Sequence, residues 1–203
     1  LAPFIQKFSL WALPILAAVI LHEVAHGYVA FRLGDPTAAK LGRLTLNPFA
    51  HVDLFGTVIL PLLLLFGGSP FLFGYAKPVP VNFLNLRNPR KGMVLVALAG
   101  PMTNLILAGL SALAFRFLST VQVPEAGLLA TNIDFLRSMA GSSMLMNVGL
   151  AVFNLLPLPP LDGGRILVSL LPANAAATLS RLEPYGFMIL LVLLFSGVLS
   201  SVV

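Results

Sequence analysis

The chain has 203 residues, of which 58% are hydrophobic and only 9% are charged. A soluble domain carries about 25% charged residues, so twelve Lys and Arg with seven Asp and Glu cannot coat a globule of this size. This composition, with a mean hydropathy of +0.97, excludes a soluble enzyme, a disordered tail and a nucleic-acid-binding module as readings, and it specifies an integral membrane protein. The net charge of +5 then places basic residues in short loops against an anionic inner leaflet rather than on nucleic acid. Cysteine is absent, so any metal must be held by His, Asp, Glu or backbone oxygen.

A spanning helix needs about 20 apolar residues. The first such run covers about 9–31 and holds His22, Glu23 and His26. With no small-residue cleavage site after it, this run is expected to span rather than to act as a signal peptide. A polar loop follows, in which the alternation Leu41-Gly42-Arg43-Leu44-Thr45-Leu46 predicts a short strand. The apolar stretch 54–73 is interrupted by Pro61 and by Gly67-Gly68-Ser69-Pro70. Its unbroken part is too short to cross a hydrocarbon core of about 30 Å, which predicts a re-entrant segment. Gly74 to Asn82 contains Pro78 and Pro80 and reads as extended. Further spans are expected at about 92–117, 139–157 and 184–203, with a loop between Ser119 and Arg137 and a short helix at 161–171. The expected architecture is therefore one all-α membrane domain over 1–203. It has about four transmembrane helices, one re-entrant segment and short membrane-associated β-strands.

The basic residues favour the re-entrant reading. If 54–73 returns to its own side, nine basic residues (Arg32, Lys40, Arg43, Lys77, Arg87, Arg90, Lys91, Arg165 and Arg181) face three (Lys7, Arg116 and Arg137). If it spans, the split is five against seven. The bias of basic residues toward the cytoplasm selects the first arrangement, with the nine-residue face and the site described next toward the cytoplasm.

His22-Glu23-Val24-Ala25-His26 is an H-E-x-x-H motif. Positions i and i+4 share one helix face, so both imidazoles can address one ion. Glu23 lies beside them, able to reach a water without being a ligand. Each ionisable group near the bilayer centre costs about 2.5–3.5 kcal/mol, and a divalent cation offsets the cost of grouping three. A third ligand is expected from His51, Asp35, Asp53, Glu125, Asp134, Asp162 or Glu183. Asp162 is the best placed, because Pro157, Pro159 and Pro160 before it and Gly163-Gly164 after it let the backbone turn its carboxylate inward. His51 and Asp53 read as a loop and a helix cap, with a supporting or alternative-ligand role as the sharper possibility. Two His and one carboxylate favour zinc.

Three motifs together resemble the site-2 protease family of intramembrane zinc metalloproteases. They are H-E-x-x-H, Ala99-Gly100-Pro101-Met102-Thr103-Asn104, and Asn154-x-x-Pro157-x-Pro159-x-Leu161-Asp162-Gly163. The resemblance implies one zinc ion on His22, His26 and Asp162, Glu23 as catalytic acid/base, and Asn154 as a catalytic residue supporting substrate or transition state. It implies a transmembrane protein as substrate in a bacterial or archaeal cell membrane, and a compact form without PDZ or regulatory domain. An unwound substrate could add as a strand to the segment bearing Tyr75, Lys77 and Val79. The competing functions are a metal-ion transporter and a relative that binds membrane segments without cutting them. The lipid bilayer is an expected partner and nucleic acid is not; the sequence leaves oligomeric state open.

Overall fold

The computed structural model describes residues 2–67, 74–122 and 127–196. They form eight α-helices: α1 (Ala2–Arg32), α2 (Thr37–Lys40), α3 (Leu60–Phe66), α4 (Pro89–Thr120), α5 (Leu128–Asn154), α6 (Asp162–Leu170), α7 (Ala173–Ser180) and α8 (Gly186–Phe195). A π-helical turn, Leu54–Ile59, leads directly into α3.

Two helices are long and apolar enough to cross a membrane, α1 over Ser9–Arg32 and α4 over Pro89–Thr120. They also leave large apolar side chains uncovered, among them Trp11, Leu13, Ile106, Leu113 and Phe117. α5 has sufficient length but is not among them; Ser138, Ser142, Ser143 and Asn147 dilute its apolar character. It also begins inside the expected loop. Asp134 and Arg137 are ion-paired one turn apart at 2.8 Å, which stabilises a helical stretch that hydropathy alone discards. The last expected span is described only to residue 196, and the remainder of that run lies outside the described residues.

α4 packs against α1, α5 and α6 and is the centre of the bundle. Its start is fixed by Asn88, whose side chain accepts from Lys91 N, and by Pro89 in the first turn. α1 ends in a Schellman motif. Gly34 (φ +115°) takes the left-handed position, its N–H donates to Phe31 O, and Asp35 N–H donates to Ala30 O. That reversal buries Asp35 completely. Its carboxylate accepts from Thr37 N and Oγ1, from Asn85 Nδ2 at 2.9 Å and from Asn82 N at 2.7 Å. These bonds outweigh the cost of burial and hold the Asp35 carboxyl below the usual carboxylate range.

The expected β-strands are corrected: among the described residues there are none. Leu41 and Gly42 close α2, with Gly42 at φ +65° and Arg43 N–H returning to Ala38 O. Gly74–Asn82 is extended but joins no ladder. Its amides go one by one to separate partners: Tyr75 to Gly56 O, Lys77 to His51 O, Val79 to Glu23 and Asn82 to Asp35. Pro78 and Pro80 have no N–H to offer.

The π-helical turn at Leu54–Ile59 meets the extended segment at Tyr75. Tyr75 N–H donates to Gly56 O at 3.0 Å, and Thr57 Oγ1 donates to Tyr75 O at 2.9 Å. Residues 68–73, within which most of the expected Gly-Gly-Ser-Pro break falls, lie outside the described residues.

Candidate metal centre

His22 and His26 sit one turn apart on α1 and meet Asp162, the first residue of α6. His22 Nε2 lies 3.2 Å and His26 Nε2 3.3 Å from Asp162 Oδ2, and the two Nε2 atoms are 3.0 Å apart. All three residues are buried, each less than a tenth exposed.

Small residues make this convergence possible. A Cβ on Gly100 of α4 would stand 2.4 Å from His26 Nε2 and 2.5 Å from His22 Nε2, so only glycine lets α4 pass behind the imidazoles. Cβ atoms on Gly163 and Gly164 would collide with the backbone of Leu155, Leu156, Leu158 and Pro159. These glycines let α6 lie directly on the turn that follows α5, which places Asp162 against α1. The Pro- and Gly-rich flanks in the sequence thus act by close backbone packing.

The far nitrogens of both rings are anchored on α4. His26 Nδ1 lies 2.7 Å from the backbone carbonyl of Val96. A carbonyl only accepts, so His26 Nδ1 carries a hydrogen and Nε2 presents a lone pair. His22 Nδ1 meets Asn104 Oδ1, with the same result at its Nε2. Asn104 is fully buried and also binds Asn147. The contact between the two Nε2 atoms is therefore not a hydrogen bond, because neither carries the proton. Asp162 Oδ2 is buried without a hydrogen-bond partner.

Three acceptor atoms thus face one another with no donor among them, an arrangement that a cation resolves. For tetrahedral zinc with bonds of about 2.0–2.1 Å, ligand atoms stand about 3.3 Å apart. The observed separations of 3.0, 3.2 and 3.3 Å fit an ion of that size. Among the described residues this is the one cluster of three or more potential ligands.

The cluster opens on a cavity of about 120 Å³ lined by Glu23, Val79, Asn154, Asp162 and Arg165 as well as the histidines. Glu23 Oε2 accepts from Val79 N–H at 2.7 Å. A Cβ on Gly27, one turn beyond Glu23, would lie 2.7 Å from Val79 Cγ1 and 2.6 Å from Leu44 Cδ2. Gly27 is what lets the extended segment cross α1 here. Asn154 donates an amide hydrogen to Leu150 O at 2.9 Å and lines the cavity.

The remaining candidates lie elsewhere. His51 and Asp53 do not line the cavity. His51 Nε2 donates to Thr45 O at 2.8 Å, and its carbonyl receives Lys77 N–H. Asp53 caps the π-helical turn by accepting from Gly56 N at 2.7 Å. His51 thus holds the extended segment, and Asp53 holds the turn that meets it. Tyr75, Lys77 and Val79, expected to pair with substrate, have their amides engaged inside the protein. The sequence reading assigned no role to Asn104, Val96 O or Asn147.

The model of peptidase family M50 matches residues 10–139 and 128–197, which takes in every residue of this centre. The chain belongs to peptidase family M50. This M50 protein is 42% identical to YwhC of Bacillus subtilis over 88% of its own length and 77% of that relative. It is 32% identical to Rip2 of Mycobacterium tuberculosis (strain H37Rv) over 98% of its length and 70% of the relative. It is 24% identical to zinc metalloprotease MJ0392 of Methanocaldococcus jannaschii, over 77% of its length but only 33% of that protein. No solved structure matches the chain. M50, the site-2 protease family, comprises zinc metalloproteases, and the His22–His26–Asp162 cluster is consistent with its zinc site.

Proposed function

We propose that this M50 protein is a zinc-dependent endopeptidase that cuts peptide bonds within or beside transmembrane segments of other proteins, as in regulated intramembrane proteolysis. The observation carrying this reading is the buried triad of acceptor atoms with Glu23 alongside, set between helices apolar enough to span a bilayer.

His22, His26 and Asp162 would hold the ion through Nε2, Nε2 and a carboxylate oxygen. When bound, zinc supplies Lewis-acid polarisation of a carbonyl and acidifies water. Glu23 provides the proton transfer. With Oε2 held by Val79 N–H, Oε1 takes the proton from the attacking water and later hands it to the leaving amine. Asn154 donates its second amide hydrogen to the oxygen on which charge develops. The segment 54–73 is re-entrant on this reading, supported by the contact between Gly56 and Tyr75 at its two ends, with the nine-basic-residue side in the cytoplasm.

The amides of Tyr75, Lys77 and Val79 are engaged inside the protein, so a substrate strand laid along the extended segment would use the alternate residues Ala76, Pro78 and Pro80, of which Pro78 O already lies 3.5 Å from Arg43 Nη2. Two of these are prolines, so the edge offers mainly carbonyl acceptors. The test is hydrolysis of a model transmembrane substrate by the detergent-solubilised full chain. Zinc-dependent, chelator-sensitive cleavage supports the proposal. Ion flux in liposomes without cleavage, or substrate binding without cleavage, overturns it.

A further inference from the structure

We infer that Asn147 is a positioning residue for the metal centre: acting through Asn104, it dictates which nitrogen of His22 carries the proton. The inference rests on the zinc-protease reading above and adds the device that prepares one ligand.

One group of fixed polarity sets the direction of every hydrogen bond from Asn147 to His22. Ser143 O, one turn before Asn147 on α5, is a backbone carbonyl and can only accept. Asn147 Nδ2 lies 2.9 Å from it, so the amide nitrogen of Asn147 faces its own helix and Oδ1 faces α4. There it receives Asn104 Nδ2 at 2.9 Å. A second fixed acceptor, Ala18 O of α1, lies 3.4 Å from the same nitrogen. Asn104 Oδ1 is thereby turned toward His22 Nδ1. The ring must protonate at Nδ1, and Nε2 is left as the lone pair aimed at Asp162 and His26.

Burial makes the order of these bonds binding. Asn104 is 0% and Asn147 1% exposed, so no bulk water stands ready to replace a lost partner, and an unpaired amide there costs about 1–3 kcal/mol. Without Asn147, Asn104 is held by the long Ala18 contact alone. A flipped Asn104 presents its NH2 to His22, and the ring then answers with a lone pair at Nδ1 and a hydrogen at Nε2, which cannot ligate.

The polar chain continues beyond Asn147, but its polarity does not. Ser143 Oγ and Ser111 Oγ are 2.8 Å apart, and either hydroxyl can donate. Ser111 therefore joins α4 to α5 without instructing Asn104, which supplies an internal control.

The experiment is a competitive zinc titration of the full chain in detergent. Asn147→Leu, which removes the hydrogen bonds to Asn104 and Ser143 at similar volume, is expected to weaken zinc binding by about 10- to 100-fold. Ser111→Ala is expected to leave it unchanged. Equal affinity in wild type and Asn147→Leu, or an equal loss in Ser111→Ala, overturns the role. Should Asn147→Leu not fold, nitrogen NMR of metal-free wild type and Asn147→Ala, each labelled at its three histidines, decides the matter through a His22 tautomer that is expected to change in the variant, an unchanged tautomer overturning the role. In wild type a ring protonated at Nδ1 is expected for His22, and one protonated at Nε2 overturns the inference. A wild-type protein that binds no zinc overturns the functional reading instead, and the NMR result still decides the role of Asn147.

Discussion

Val79 donates its backbone N–H to Glu23 Oε2 at 2.7 Å, so the extended segment orients the carboxylate expected to move protons. Glu23 is thereby separated in function from the histidines beside it, and the two can be tested apart. Glu23→Gln keeps the shape and the Val79 contact. It is expected to bind zinc with wild-type stoichiometry, measured by metal analysis, while cleavage falls by about 10²–10⁴-fold or more. Turnover retained in the metal-loaded variant rejects the assigned base.

Gly100 is the narrowest point behind the metal centre, with any Cβ at 2.4–2.5 Å from both imidazoles. Gly100→Ala is expected to displace a histidine, cost about 1–3 kcal/mol of stability and reduce bound zinc. A stable variant with full zinc content would show that α4 can shift.

The Asp35 carboxyl lies below its ordinary value of 3.8 through its bonds to Asn85, Thr37 and Asn82. The folded state therefore binds fewer protons than the unfolded state. Its contribution to stability is fully present above about the ordinary value and is lost as pH falls through the lower folded value. Thermal unfolding of wild type is expected to weaken across that acidic range, and Asp35→Asn should show a lower melting temperature at neutral pH and a flatter acid limb. Identical pH profiles would remove Asp35 as the anchor.

The chain has no cysteine, so single-cysteine labelling needs no background removal. Cysteines introduced at Gly67 and at Leu84, an exposed side chain before α4, are expected to react with a membrane-impermeant reagent from the cytoplasmic side only. Reaction of the Gly67 cysteine from the outside alone would make 54–73 a spanning segment.

In the proposed pairing, Pro78 and Pro80 offer no N–H, so a substrate strand would donate to this edge. Model substrates with N-methylated amides facing Pro78 and Pro80 are expected to be cut more slowly, with the loss in KM. Methylation of the alternate amides is expected to have little effect. Equal effects at all positions would exclude pairing along this edge.

The charged part of the site was legible in the sequence because ionisable groups in apolar runs demand an explanation. His22, Glu23, His26 and Asp162 stand out for that reason, and the glycines and prolines flanking Asp162 signalled a bend. Asn104 was visible only as part of a motif, and Asn147 not at all, since a neutral amide in a helix carries no such signal. Val96 contributes through its backbone, which sequence does not distinguish. The strands failed because alternation at 41–46 and extension at 74–82 say nothing about whether a partner edge exists. The start of α5 failed because Asp134 and Arg137 lower hydropathy while favouring helix.

His26 and Asp162 touch across a separation of 136 positions in the chain. All of the chain between these two residues must be made before the third ligand can arrive. A half-synthesised chain already carries the histidines and Glu23 but has no complete cage for the ion. The order of synthesis therefore separates the two halves of the site in time, and the cage closes only once the distant turn before α6 has folded back onto α1.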